Sequence, residues 1–165
     1  MLPANERLRR ASAFQRAYSA RKSISTPLVT LYVVPRARER DKRAPLKPRM
    51  PFVGFVAAKK VCKSAVARNR AKRRLREAYR LLTRRQRQLV RGEAGVAQDA
   101  GNETCRLDQW YVLVWVLHTK ILSASWNEIV DTVKDCLKKA ESKFGVGPKK
   151  AMIKTVAPGE GKSGD

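Results

Sequence analysis

Three observations in the sequence predict an α/β fold, one small sheet with helices packed on it. Short apolar runs at residues 27–35, 52–57 and 110–117 have the composition of strands. Amphipathic stretches of helical period precede, separate and follow them, in the order α-β-β-α-β-α. The length, 165 residues, suits one domain, placed by the patterning at residues 1–144 with a tail over 145–165.

A first helix is expected from Ser12, with Gln15 three residues later to complete a capping box. It sets Phe14, Ala17 and Tyr18 on one side at i, i+3, i+4 spacing. Pro27 to Pro35 is β-rich and closed by proline at both ends, a strand with Leu28, Thr30, Tyr32 and Val34 on one face. Residues 36–50 are basic, contain proline and lack apolar periodicity, as a long hairpin loop does. Phe52 to Ala57 forms the next strand, and Lys59-Lys60 marks its exit from the sheet. Residues 84–107, with three glycines among Gln, Asp and Asn, are a polar insertion. Trp110 to Leu117 is continuously apolar, a strand buried on both faces. Ser125 and Glu128 form a second capping-box pattern, opening a helix with core positions Trp126, Ile129, Val130, Val133, Leu137 and Ala140.

Residues 64–82 carry the clearest periodic signal. Ala67, Ala71, Leu75, Ala78 and Leu82 fall within about 80° of one another on a helical wheel. Arg68, Arg70, Lys72, Arg73, Arg74, Arg76 and Arg80, with Asn69, occupy the rest of the circumference, and Glu77 is the only acid. Like charges at i, i+4 repel, so packing of the alanine-rich stripe and binding of a partner must hold this helix together.

Charge names the class of that partner. The chain has 37 Lys and Arg against 14 Asp and Glu, a formal net charge of +23. Residues 1–91 hold 27 basic and 4 acidic side chains, and residues 92–165 hold 10 of each, so the N-terminal half carries the whole surplus. A solvated face mixes signs, and one this purely cationic fits a polyanion. Arginine forks match phosphate oxygens bidentately and lysines add mobile point charges, which points to nucleic acid.

Other classes fall away. No apolar run follows the basic N-terminus as in a signal peptide, and the longest apolar stretch is too short to cross a bilayer. No membrane partner is expected. Cys62, Cys105 and Cys136, with the single His118, lack the spacing of a zinc site, and three reduced cysteines fit a cytoplasmic protein. No paired carboxylates, Ser/His/Asp set or phosphate-cradling glycine loop supports catalysis by the protein itself. Helix-turn-helix, zinc-finger and heptad patterns are missing too. Two readings stand for Phe14, Tyr18 and Tyr32: core, as most aromatic stripes are, or a platform on which bases of single-stranded RNA stack.

The residues together resemble a known family. Leu2-Pro3…Arg7-Leu8, Phe14-Gln15-Arg16-x-Tyr18, Tyr32, Val53-Gly54-Phe55, Lys59-Lys60-Val61 and above all Arg68-Asn69-Arg70-x-Lys72-Arg73-x-x-Arg76-Glu77 are similar to the protein subunit of bacterial ribonuclease P. The match covers residues 2–82 and, more loosely, 109–141. The chain departs from the family at Phe52, usually basic, at Val56 and Ala58, usually serine, at Cys62, usually glycine, and at Leu117-His118, usually Ala-Arg.

The resemblance implies an α/β (α+β) sandwich with a small mixed sheet and a left-handed βαβ crossover around the basic helix, against the general right-handed preference. It implies a ribonucleoprotein that removes the 5′ leader of precursor tRNA, with catalysis and magnesium on the RNA subunit and no organic cofactor. The implied partners are the catalytic RNA, one copy per protein, and precursor tRNA. The implied RNA contacts are Lys59, Lys60, Arg68, Asn69, Arg70, Lys72, Arg73 and Arg76, with Phe14, Tyr18 and Tyr32 as a leader-binding cleft near Lys59, Lys60 and Lys72. Asn69, uncharged in a cationic run, suits a specific hydrogen bond. A ribosomal or ribosome-assembly protein is the rival reading, since basic α/β modules of this size serve there too.

Limited proteolysis tests the domain limits. It should cut first within 36–50, 84–107 and 145–165, and leave a resistant fragment; removing 145–165 should barely move the melting temperature.

Overall fold

Residues 2–35, 50–84 and 107–145 are described by the structure, a computed structural model. The expected loop over 36–49, the insertion over 85–106 and the tail from 146 lie outside them. Four strands form one mixed sheet: β1 (Ser23–Ser25), β2 (Val29–Pro35), β3 (Phe52–Val56) and β4 (Trp110–Leu117), in the order β1-β2-β4-β3. β2 is antiparallel to β1 and to β4, whereas β3 and β4 run parallel. Parallel neighbours need a crossover, and α2 (Ala65–Leu82) lies within it. The other helices are α1 (Ala11–Ser19) and α3 (Trp126–Phe144).

Strand alternation divides the sheet between two layers. Val29, Leu31 and Val33 of β2 and Leu113, Trp115 and Leu117 of β4 face α2 and α3, in one core with Leu75, Tyr79, Ile129, Val133 and Leu137. Val112 and Val114 face the other way and meet Ala17 of α1, with Leu8, Phe14, Tyr32 and Val34 packed around them. β4 is therefore buried on both faces, as its unbroken apolar run requires. Trp110 and Trp115 are fully buried; each ring contributes about 4–6 kcal/mol of transfer free energy before the entropy of ordering is set against it.

Local chemistry sets most of the helix ends. Ser125 accepts from the Glu128 N–H at 3.3 Å while the Glu128 carboxylate accepts from the Ser125 N–H at 2.7 Å, so the expected capping box opens α3. That backbone bond holds the Glu128 carboxyl below its usual pKa. The box expected at Ser12 does not form. α1 begins at Ala11 with extended Arg10 as its N-cap, which puts Ser12 inside the first turn, where it caps nothing.

Other expectations are corrected. β1, a Ser-Ile-Ser strand, was not foreseen. Leu28 precedes β2 and packs with the α2–α3 layer, so the face it was assigned to holds only Thr30, Tyr32 and Val34. Trp126, expected in the core of α3, is 39% exposed; it is the first residue of the helix, whose buried positions start at Ile129, and Cys136 lies in the core instead. Burial pushes the Cys136 thiol up to about 11. Met50 and Leu107, at the limits of the two expected loops, both belong to the core.

Both sheet edges are covered or short. On the β3 side, Arg7 bridges to Val53, and the Leu8 N–H donates to the Val53 carbonyl at 2.9 Å. Arg7 also donates through Nε to the Leu2 carbonyl at 2.8 Å, which ties down this N-terminal strip. On the other side, β1 presents three residues only.

One glycine sets how closely α1 approaches. A Cβ on Gly54 would lie 2.5 Å from Cε1 and 2.8 Å from Cζ of Phe14, so the ring rests on β3 only because nothing projects there. Gly54→Ala should push Phe14 outward and destabilise the fold by about 1–3 kcal/mol, checked by thermal denaturation.

Candidate nucleic-acid interface

Packing and charge divide α2 lengthwise. Ser64 caps it, accepting from the Ala67 N–H at 3.4 Å. Ala71, Leu75, Ala78 and Tyr79 are buried, with the Tyr79 ring edge-on to Phe55 and Trp115, each at 6.2 Å between centroids. Tyr79 was absent from the expected stripe because it falls about 40° beyond the Leu75 edge of that arc on the helical wheel. Ala67 and Leu82, which were in the stripe, are half-buried.

Side-chain partners sort the cations of the helix. Arg68 donates through Nη1 to the carbonyls of Cys62 and Lys63, at 2.7 and 2.8 Å, and so holds the loop that leads into α2. Arg74 reaches the Ala124 carbonyl at 2.7 Å and ties α2 to the start of α3. Arg76 lies over the Phe55 ring, 5.7 Å from its centroid. Arg80 pairs with Glu77 at 2.7 Å; its hydrogen bond holds the Glu77 carboxyl below its usual range. Asn69, Arg70, Lys72 and Arg73 have no side-chain partner among the described residues. They span an arc of about 160° facing away from the buried stripe. Lys59 and Lys60 are exposed in the turn before the helix.

The aromatic residues occupy the other layer. Tyr18 and Tyr32 meet edge to face with centroids 5.0 Å apart, and Tyr18 is 39% exposed. Burial of the Tyr18 ring, and secondarily the Tyr32 phenol beside it, raises the Tyr18 hydroxyl above its usual pKa, so it remains a neutral donor. Phe14 is half-buried over Gly54. The structure therefore brings Tyr18 and Tyr32 together, with Phe14 on the same layer. Lys72 was expected beside them, but α2 packs on the opposite face of the sheet.

Sequence reasoning missed a third group. His118 Nε2 is 2.8 Å from the Thr30 hydroxyl, which is 3.1 Å from the Ser25 hydroxyl. Eighty-eight residues separate His118 from Thr30, so only strand pairing could reveal the contact. Among the described residues, no group of three or more His, Cys, Asp or Glu could hold a metal ion. No helix among them is long and apolar enough to cross a membrane.

Fold and surface together define a small, strongly cationic α+β protein that offers an arginine-rich helix on one side of its sheet and an aromatic face on the other. The Ribonuclease P family model matches residues 2–141, and the chain belongs to that family. The "Ribonuclease P protein component" of Alkaliphilus oremlandii is 29% identical over 138 residues, covering 84% of this chain and 93% of the relative. That of Symbiobacterium thermophilum is 42% identical over 82 residues, covering 50% of this chain and 63% of the relative. The fold is similar to that of the Staphylococcus aureus RNase P protein, with a TM-score of 0.53 at 17% identity over 82% of this chain and 95% of that one. The Thermotoga maritima RNase P protein gives 0.51 at 17% identity, over 81% and 96%. The chain is thus the protein part of an RNA-based endoribonuclease of tRNA processing, and its partner in the holoenzyme is RNA.

The sorting of cations predicts two kinds of variant. Alanine at Arg70, Lys72 or Arg73 should reduce the slope of log K against log salt by roughly 0.7–0.9 per lost phosphate contact, with an unchanged melting temperature. Arg74→Ala should instead cost roughly 1 kcal/mol of stability. Titrations of the RNA subunit at several salt concentrations, paired with thermal melts, distinguish the two.

Proposed function

We propose that the two sides of the sheet serve two parts of the ribonucleoprotein. The outward arc of α2, with Arg70, Lys72 and Arg73 as phosphate partners and Asn69 as a hydrogen-bonding group, lies against the RNA subunit. Arg68 and Arg76 shape that surface while offering their remaining N–H groups, and Lys59 and Lys60 extend it. The opposite face takes the single-stranded 5′ leader of precursor tRNA, with Tyr18 and Tyr32 stacking its bases and Phe14 forming the floor. One protein serves one catalytic RNA in the cytoplasm. Magnesium and the chemical step belong to the RNA; the protein positions substrate.

The pairing of exposed Tyr18 with half-buried Tyr32 carries this reading. Stacking is indifferent to base identity, as a subunit that serves many tRNA precursors needs. The basic test is reconstitution: this protein with a bacterial ribonuclease P RNA should stimulate 5′ leader removal at low magnesium, and no stimulation would refute the reading. Tyr18→Ala or Tyr32→Ala should weaken binding of leader-bearing precursor by about 1–3 kcal/mol per lost stack. Mature tRNA should bind nearly as before, and circular dichroism should confirm the fold. Equal loss for both RNAs would rule out a leader cleft.

A further inference from the structure

The apolar stripe of α3 begins on an uncovered ring. At 100° per residue, Trp126 falls within about 60° of Val130, Val133 and Leu137, so it shares their side of the helix. Val133 and Leu137 are buried and Val130 rests on the core, whereas Trp126 is exposed. The indole has no aromatic or cationic neighbour, and its Nε1–H no acceptor, among the described residues. The Ser125–Glu128 box closes the turn that carries it, so the ring stands on fixed backbone.

Arg74 identifies the part of α2 nearby. Its hydrogen bond to the Ala124 carbonyl, 2.7 Å long, brings α2 against the residues that lead into α3. Arg70 and Leu81 fall within about 40° of Arg74 on the helical wheel and share that edge of α2. Leu81 is exposed. So is Leu122, at the end of the short helical turn Thr119–Leu122, which packs against α2. Three exposed apolar side chains therefore border the seam between α2 and the start of α3. Arg70, exposed and without a side-chain partner among the described residues, stands at its margin. Scattered exposed apolar groups are ordinary, but a group of them at one seam marks a docking surface.

Charge selects the occupant. Glu77, the only acid of α2, is engaged by Arg80 at 2.7 Å. The Glu128 carboxylate accepts from the Ser125 N–H, and its residue lies about 160° round α3 from Trp126. A second copy of the chain would set +23 against +23, which opposes self-association through this seam. RNA brings complementary charge, and its unpaired bases bring flat faces that aromatic rings hold by stacking. Through Arg70 the seam is also continuous with the outward arc of α2. Resting on the reading that sets this arc against the RNA subunit, we propose that Trp126 stacks an unpaired base of that RNA. The adjoining phosphate lies on Arg70, and Leu81 and Leu122 border the stacked nucleotide. The arc attracts any phosphate backbone, whereas the stack requires an unpaired base at one place. Trp126 thereby sets the register of the protein on its RNA.

The test titrates the full chain with a bacterial ribonuclease P RNA at several salt concentrations. Trp126→Ala should weaken binding roughly five- to fiftyfold at each of them and leave the salt slope unchanged, because a neutral ring releases no counterions. Trp126→Phe should recover most of the loss. Fluorescence adds a readout from the unaltered protein: Trp110 and Trp115 are fully buried, so acrylamide reaches Trp126 alone. The RNA subunit should shield that emission, and a perfect RNA duplex, bound through the arc, should not. Should Trp126→Ala lower the melting temperature, the shielding and the Trp126→Phe affinity decide in its place. Wild-type affinity of Trp126→Ala, or equal shielding by the duplex, would overturn the stack. Full access of acrylamide in the complex would leave the seam to a protein partner and overturn it too. In each case a reduced salt slope for Arg70→Ala keeps the α2 surface standing, and an unchanged one overturns both readings.

Discussion

Burial of β4 on both faces is the constraint from which the rest follows. Its residues alternate between Val112 and Val114 on one side and Leu113, Trp115 and Leu117 on the other, and none can be left to water without a large penalty. Each face therefore needs a helical cover. The crossover between parallel β3 and β4 carries α2 to one face, α3 folds back beside it, and α1 is left for the other. The separation of a cationic helix from an aromatic surface is thus a consequence of core packing.

The cationic helix shows how such charge is kept on a folded chain. Repulsion along α2 is relieved where arginines find carbonyls, a ring or a carboxylate, at Arg68, Arg74, Arg76 and Arg80. These contacts also anchor the helix to the preceding loop, to β3 and to the start of α3. The unpartnered group at residues 69–73 then stands on a rigid support. Its side chains are spared that reorganisation when phosphate arrives, so less of the interaction is lost to ordering.

Much of this was legible in the sequence, and the exceptions have physical reasons. The run Trp110 to Leu117 declared a doubly buried strand, and Ser125 with Glu128 declared a helix start, because both signals are local. β1 escaped because Ser23-Ile-Ser25 has one apolar residue and becomes a strand only through pairing with Thr30, Leu31 and Tyr32. Trp126 misled because helical period assigns a face but does not say where along the helix burial begins, here at Ile129. At the site, the cationic face followed from composition, whereas the placement of Lys72 away from Tyr18 and Tyr32 depended on which layer α2 joins. The Ser25–Thr30–His118 relay was beyond reach for the same reason, being assembled by strand register.

The covered sheet edges bear on what happens once RNA is bound. Free in solution, copies of a chain of +23 repel one another. Bound phosphates cancel that repulsion locally, at the moment when many ribonucleoproteins can crowd together. An open strand edge would then invite pairing between copies. The Arg7–Leu8 strip along β3 and the brevity of β1 leave little edge to join. In that state backbone geometry, rather than electrostatics, is what limits pairing through the sheet edges.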